Sequence, residues 1–199
     1  DLSGAVRDMT NALYKRIEAE SGQSVGLHMT GGISLATTPE RWEWLQAEWA
    51  LFRTLDMDAQ LLTREEVGAL CPLVALDDVL GGLFDPQEGH LDPHGTTHAY
   101  TGAARKLGAD IILRTAVLGL EPLPGGAWRV ETERGPVVAE HVVNAAGLWA
   151  RRVGRMAGVN LPVTPMEHHY LVTGDLPDLV GRATEMPSVV DLEGFTYLR

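Results

Sequence analysis

Residues 139–150 read Ala-Glu-His-Val-Val-Asn-Ala-Ala-Gly-Leu-Trp-Ala, and this stretch decides the fold class. The apolar run over 141–145 predicts a buried strand, and the residues after Gly147 predict a helix. Ala145, Ala146 and Gly147 carry little or no side-chain bulk, so a flat ligand can approach the main chain at this turn. The amino end of the following helix favours an anionic group. Many strand–glycine–helix turns serve packing alone, so the interpretation depends on the rest of the chain.

The sequence before this stretch carries helix signals. Apolar residues recur at helical spacing from Ala5 to Ile17 and predict a first helix that ends near Gly22. Pro39 begins a second helix. Four large residues of this second helix share one face, a pattern typical of core packing: Trp42, Leu45, Trp49 and Phe52.

The remaining apolar segments predict short strands. Apolar alternation predicts a pair of strands within 25–37, and short apolar runs between turn residues predict further strands at 81–84, 110–113, 115–121, 127–132 and 136–145. Gly125 and Gly126 supply the turn of a hairpin. Thr63 and Glu66 predict a capping box for a third helix through Leu70. Helices therefore accompany several short strands, as in a mixed α and β fold.

Composition excludes several classes of partner. The 199 residues are 45% hydrophobic and carry a formal net charge of −11. Because this charge repels phosphates and anionic lipids, we expect neither nucleic acid nor a membrane as a partner. No apolar run approaches the ~18 residues that a membrane helix needs. Cys71 is the single cysteine of the sequence and is interpreted as a buried apolar residue in a reducing compartment, the cytoplasm or alternatively the mitochondrial matrix.

A group of polar residues raises the question of a metal site. Four of them lie within nine positions: His90, Asp92, His94 and His98. Asp92 followed by Pro93 is instead typical of a helix N-cap, and the helix would run to Lys106 with His94 and His98 on its surface. We favour this architectural interpretation and predict no metal site, while His90 can still face an active site.

Short motifs in the chain resemble a known enzyme family in their order and spacing. They are Gly-His-Leu-Asp-Pro at 89–93, Thr-Ala-Val at 115–117, Asn-Ala-Ala-Gly-Leu-Trp-Ala at 144–150, Glu-His-His-Tyr-Leu-Val-Thr at 167–173 and Asp-Leu-Glu-Gly at 191–194. With Leu-Ala-Thr-Thr-Pro at 35–39, they make the chain similar to dimethylglycine and sarcosine dehydrogenases, which are flavin enzymes of the D-amino-acid-oxidase-like superfamily. The resemblance extends over essentially the whole chain.

The resemblance implies a D-amino-acid-oxidase-like fold of the mixed α+β and α/β class. Residues 1–23 would form a linking helix, and 24–91 and 166–199 a substrate domain with a mixed sheet. Residues 92–165 would belong to an interleaved FAD-binding domain. The Gly-x-Gly-x-x-Gly turn with which the family holds the FAD pyrophosphate has no match in this sequence. The chain is therefore interpreted as an internal piece of a longer enzyme, and on its own we expect it to be inactive and to bind FAD weakly.

The resemblance also implies which residues contact FAD. In the superfamily, backbone groups of a strand residue meet an edge of the adenine, and this place falls on Val117. The turn quoted at the start supplies the other candidates, Ala146, Gly147 and Trp149. All four would contribute through backbone hydrogen bonds and close approach on the adenosine side of the cofactor.

The segment 167–173 carries the chemical candidates. As a strand it would project His168 and Tyr170 to one face and His169 to the other. The family keeps a histidine and a tyrosine at the places of His168 and Tyr170, and Tyr197 matches a further aromatic residue near the flavin. The implied reaction is oxidation of an N-methyl amine by hydride transfer to flavin. His168 would accept the amine proton, Tyr197 would position the amine and Tyr170 would shape the wall. A half-buried sheet with hydrogen-bonded His and Tyr groups is the alternative.

The implied partners are a small secondary or tertiary amine and an electron acceptor, either oxygen or an electron-transfer flavoprotein. Glycine oxidase-like and glycerol-3-phosphate dehydrogenase-like flavoproteins share the framework and remain alternatives. A non-catalytic binding module that has lost its nucleotide site is a further alternative, which the missing glycine-rich turn favours. The presence of motifs from both the cofactor and substrate sides opposes it.

Overall fold

The computed structural model describes residues 2–199, with side chains from Met9 onward, so the side chain of Ala5 lies outside the described part. Contacts divide the chain into two compact units. The first contains the chain up to Asp110 together with Thr173–Arg199, and the second contains Ile111–Val172. The second unit is thus inserted, in sequence, between two parts of the first. The assignment of residues 24–91, 92–165 and 166–199 to substrate and cofactor domains stays a prediction.

Helices and strands alternate along the chain. In chain order they are α1 (Leu2–Ser21), β1 (Gly32–Ala36), α2 (Pro39–Thr54), β2 (Gln60–Thr63), α3 (Arg64–Leu70), β3 (Gly81–Asp85), α4 (Pro93–Lys106), β4 (Val117–Pro122), β5 (Trp128–Thr132), β6 (Val137–Ala139), α5 (Ala150–Met156), β7 (Ser188–Asp191) and β8 (Thr196–Leu198). Single 3-10 turns cover Gly147–Trp149 and Pro177–Leu179. Among the described residues, no helix is both long and apolar enough to cross a bilayer.

Local capping signals explain where the helices of the first unit begin. At α2, the Thr38 side chain accepts a hydrogen bond from the Arg41 N–H at 3.2 Å. At α3, the predicted capping box is present, because the Thr63 hydroxyl accepts from the Glu66 N–H and the Glu66 carboxylate accepts from the Thr63 N–H. The helices predicted from periodicity and caps are therefore confirmed as α1 to α4.

A mixed five-stranded sheet forms the centre of the first unit, in the order β2-β3-β1-β7-β8. Strand β1 pairs antiparallel with β3 and parallel with β7. Because side chains alternate along a strand, β1 sends Ile33 and Leu35 to one face and Ala36 to the other. The Ile33 face packs against α3 and its flanks through Leu62, Val67, Cys71, Val79 and Val189. Strands β1 and β3 are therefore buried on both faces.

Helix α2 covers the other face of this sheet. Leu45 is fully buried against Ala36, Ala59 and Leu83. The predicted apolar face of α2 is confirmed, since the remaining three members pack on the same cluster: Trp42, Trp49 and Phe52. A separate core joins α1 to α4 through Ile17, Val25, Ala99 and Ala103.

The second unit contains an antiparallel sheet in the order β4-β5-β6. Gly125 and Gly126 turn the chain between β4 and β5 with φ values of +93° and +91°, which confirms the predicted hairpin. A bulge between Val117 and Gly119 interrupts the pairing of β4. Helix α5 packs against β4.

Several predicted strands are wrong. Residues 110–113, 141–145 and 167–173 have irregular backbone, and only 32–36 of the segment 25–37 forms a strand. An apolar run becomes a strand only when its N–H and C=O groups pair with a neighbour, and the described residues provide none for these segments. The predicted burial of 141–145 is likewise wrong, since Val143 is 86% exposed.

Candidate functional site

The turn at 144–149 presents open backbone in the second unit. Asn144 holds this turn, because its Oδ1 accepts from the Ala146 N–H at 3.3 Å and its Nδ2 donates to the Ala150 carbonyl at 2.9 Å. Gly147 has a φ of +52°, and a Cβ at this position would meet no atom within 4 Å. The main chain at Gly147 is therefore accessible to a flat ligand.

The other cofactor-side candidates lie in the same unit. Val117 begins β4 opposite Thr132 and is half-buried. Helix α5, which follows the turn, packs against β4, and Trp149 precedes this helix with 64% of its surface exposed. Open backbone at Gly147 and an exposed indole are features that suit the adenosine side of a dinucleotide cofactor, so these residues fit FAD.

His168 and Tyr170 also belong to the second unit, and both are exposed. Their segment is irregular, so the predicted alternation of side chains between two strand faces does not apply to them. The neighbouring His169 lies 3.8 Å from the Glu167 carboxylate through its Nε2 and is 87% exposed. His168 and Tyr170 are two positions apart in the sequence, but the structure gives their side chains no shared sheet face.

Tyr197 belongs to the first unit and lies on β8, opposite Val190 of β7. The Asp191 carboxylate holds the turn of this hairpin by accepting from the N–H groups of Glu193 and Gly194, both at 3.1 Å. Glu193 in turn accepts from the Arg41 Nε–H at 2.9 Å, which ties the hairpin to α2. The joint action of Tyr197 with His168 and Tyr170 stays a prediction.

The four polar residues around position 90 do not converge. Asp92 caps α4 as predicted, with its two carboxylate oxygens each accepting a backbone N–H at 2.9 Å, from His94 and from Gly95. His94 and His98 are exposed on α4. His90 lies instead against His28, with ring centroids 5.0 Å apart and ring planes within 5° of parallel.

His28 also contacts Glu185, whose carboxylate lies 2.9 Å from the His28 Nδ1. Both residues line a cleft of about 430 Å³ together with Thr30, Leu70, Phe84 and Arg182. Burial is the largest cause that lowers the pKa of His90, followed by the neighbouring His28 and then Arg199, whereas Glu185 raises it. Sequence patterns did not identify this cluster, because 157 positions separate His28 from Glu185.

Comparisons with known proteins agree with the fold. The family model of FAD dependent oxidoreductases, named DAO, matches residues 4–199. The mitochondrial dimethylglycine dehydrogenase of Rattus norvegicus is 42% identical over 187 residues, which are 94% of this chain and 22% of that protein. The mitochondrial sarcosine dehydrogenase of Mus musculus is 36% identical over 188 residues, or 92% of this chain and 20% of that protein. The chain thus spans about a fifth of the length of these curated relatives.

The crystal structure of glycine oxidase from Geobacillus kaustophilus has a TM-score of 0.70 at 30% identity, and the match covers 80% of this chain and 42% of that one. The family model, the sequence identities to the two dehydrogenases and the structural similarity to glycine oxidase all indicate the same fold. The chain therefore belongs to the DAO family of FAD-dependent oxidoreductases, the D-amino-acid-oxidase-like flavoproteins.

Proposed function

We propose that this chain is part of an enzyme that oxidises the N-methyl group of a small amine, dimethylglycine or sarcosine, with FAD as cofactor. The observation that carries the proposal is 42% identity to a dimethylglycine dehydrogenase over 94% of this chain. Identity to the sarcosine dehydrogenase is lower, at 36%, so dimethylglycine is the first substrate to test. The names of both relatives place them in mitochondria, which supports a mitochondrial location over the cytoplasm.

In this proposal, the second unit contacts the adenosine side of FAD. Gly147 offers an open backbone, and Ala146 has a side chain too small to block approach. Val117 would meet the adenine edge through its main chain, and the Trp149 indole would contact the adenosine side of FAD. FAD, when bound, supplies the two-electron oxidant, while the protein orients the amine and excludes water.

His168 is our candidate for the proton acceptor. A protonated amine has no lone pair with which to assist loss of hydride, so a base must first take its proton. Imidazole groups suit this task because they ordinarily titrate near neutral pH. Tyr197 would position the amine by a hydrogen bond from its phenol, and Tyr170 would form part of the wall.

Two neighbouring histidines allow a matched experiment in the full-length protein. We expect His168→Ala to slow amine oxidation by about 10²–10⁴-fold and to alter its pH profile, the range typical for loss of general base catalysis. His169→Ala should leave both unchanged, since the His169 side chain is 87% exposed and its ion-pair contact to Glu167 is exposed as well. A His168→Ala enzyme with the original rate and pH profile would remove His168 from the mechanism but leave the substrate proposal standing.

Glycine oxidase-like activity is the second candidate, because a glycine oxidase of known structure shares 30% identity with this chain. Turnover of dimethylglycine, sarcosine, glycine and glycerol-3-phosphate under the same conditions discriminates these substrates. We expect both N-methyl amines to react faster than the other two, and faster turnover of glycine would favour the second candidate. Oxygen uptake measured with and without an electron-transfer flavoprotein identifies the electron acceptor.

A further inference from the structure

Two histidines of the first unit lie directly opposite each other on a backbone bridge. The His28 N–H donates to the His90 carbonyl at 2.8 Å, and the His90 N–H donates to the His28 carbonyl at 3.0 Å. Residues paired in this way project their side chains to the same side of the two strands. Gly89 fixes the close approach, because a Cβ there would overlap the His28 carbonyl. The backbone therefore holds the two imidazoles together.

Glu185 brings a carboxylate to the same place. One ligand atom from each of His28, His90 and Glu185 lies within 4.8 Å of the other two. The side chains of His28 and Glu185 are about half exposed, at 47% and 56%, and both line the cleft of about 430 Å³. An ion can therefore reach this cluster from solvent, and two of its members have room to adjust.

His90 carries a polar atom with no hydrogen-bond partner. Its Nδ1 is buried and has no partner among the described residues. A buried ring nitrogen without a partner costs free energy unless a water or an ion satisfies it. The backbone pairing of His90 with His28 explains where this ring lies but does not satisfy this nitrogen.

We propose that His28, His90 and Glu185 form a binding site for one divalent first-row transition ion, with Zn²⁺ as the best match. Two imidazoles and a carboxylate are a donor set that suits Zn²⁺ and leaves a fourth position for water. In a tetrahedral site with bonds of about 2.0–2.2 Å, the ligand atoms lie about 3.3–3.6 Å apart. Ligand atoms separated by up to 4.8 Å here must therefore move closer, while the 2.9 Å contact between the His28 Nδ1 and the Glu185 carboxylate must open slightly. One of the stacked rings must turn about its Cβ–Cγ bond so that both nitrogens point at the ion. The bound ion would join three segments that are distant in sequence.

The site should be selective but not of the highest affinity. Arg182 lines the same cleft and Arg199 acts electrostatically on His90, so both positive charges oppose a cation. Mg²⁺ prefers six oxygen ligands and should not compete, since two of the three ligands here are nitrogens. Selectivity for Zn²⁺ over Mg²⁺ would distinguish binding at this site from nonspecific binding of cations to the acidic surface of a chain with a net charge of −11.

Calorimetric titration tests the proposal on protein freed of metal by dialysis against a chelator. With Zn²⁺ alone as the probe, we expect one equivalent to bind, and binding to weaken at least about tenfold in both His28→Gln and Glu185→Gln. His94→Gln, which changes an exposed histidine of α4, serves as the matched control and should bind normally. Co²⁺ should give visible absorption bands typical of nitrogen coordination in the parent protein and lose them in His28→Gln.

Glu185→Gln alters an exposed side chain, so loss of folding does not obscure the result, and circular dichroism checks this for each variant. Absence of saturable Zn²⁺ binding would overturn the proposal. Equal binding in His28→Gln, Glu185→Gln and the parent protein would overturn it as well, as would equally tight binding of Mg²⁺. None of these readouts depends on FAD or on the proposed amine oxidation.

Discussion

Cys71 shows how burial controls chemistry at the scale of a residue. Its side chain is fully buried, and its thiol lies 3.0 Å from the Met186 Sδ, so the sequence-based prediction of a buried apolar cysteine is confirmed. Burial raises the pKa of the Cys71 thiol, an effect that backbone hydrogen bonds from Leu73 and Val74 partly oppose. Less of the reactive thiolate is therefore present at a given pH.

We expect Cys71 to react with a disulfide reagent at mildly alkaline pH at least about tenfold more slowly in the folded protein than in denaturant, because the reagent reaches the fully buried thiol only when the surrounding structure opens. The absorbance of the thiol that the reagent releases gives the reaction rate in the folded protein and in denaturant. Labelling at equal rates in the two conditions would show that Cys71 is accessible in the folded protein and would contradict its burial.

Individual residues were predictable where the signal was local. Cys71 precedes Pro72 in an apolar segment, which predicts burial. Asp92 precedes Pro93, which predicts a helix N-cap. The pairing of His28 with His90 and Glu185 carried no such signal, because it depends on a backbone bridge and on a segment far along the chain. Spacing favoured grouping His90 with His94 and His98, whose side chains lie on the surface of α4 instead.

At the scale of an element, α4 depends on its N-cap. We expect Asp92→Ala to lower the free energy of unfolding by about 1 kcal/mol, because the N–H groups of His94 and Gly95 lose their acceptors. Asp92→Asn is the control and should lower it less, since its amide oxygen still accepts one of the two N–H groups. Urea denaturation followed by circular dichroism measures both, and an unchanged midpoint in Asp92→Ala would show that the cap is not stabilising.

Helices were easier to predict than strands for a physical reason. Periodicity, Pro39 at a helix start and the capping box at 63–66 are encoded within a few residues, and α2 and α3 begin there. Strands require a neighbour, which a sequence pattern does not provide. The runs at 110–113 and 141–145 have the composition of strands but pair with nothing in the described chain, so their backbone is irregular.

At the scale of the whole molecule, cofactor affinity depends on more than the adenosine side. The second unit offers open backbone at Gly147, but the 199 residues contain no Gly-x-Gly-x-x-Gly turn for a pyrophosphate. We therefore expect these 199 residues alone to bind FAD weakly and to show no amine oxidation. Equilibrium dialysis with FAD tests this, and a protein that retains stoichiometric flavin would contradict it.

The candidate site could be predicted from the sequence at the level of family but not of geometry. The turn at 144–150 indicated close approach of a cofactor, and Gly147 has the open backbone that this requires. The grouping of His168 with Tyr170 relied on a strand that does not form, and Tyr197 lies in the other unit. Their roles rest on the resemblance and on chemistry rather than on a shared sheet face.

Anaerobic reduction of the flavin in the full-length protein tests the central claim most directly. The claim is that a small N-methyl amine delivers two electrons to FAD. Addition of dimethylglycine without oxygen should bleach the visible flavin absorption rapidly, with sarcosine next, and glycine should leave it nearly unchanged. A flavoprotein that dimethylglycine and sarcosine fail to bleach, or a full-length protein that carries no flavin, would contradict the account.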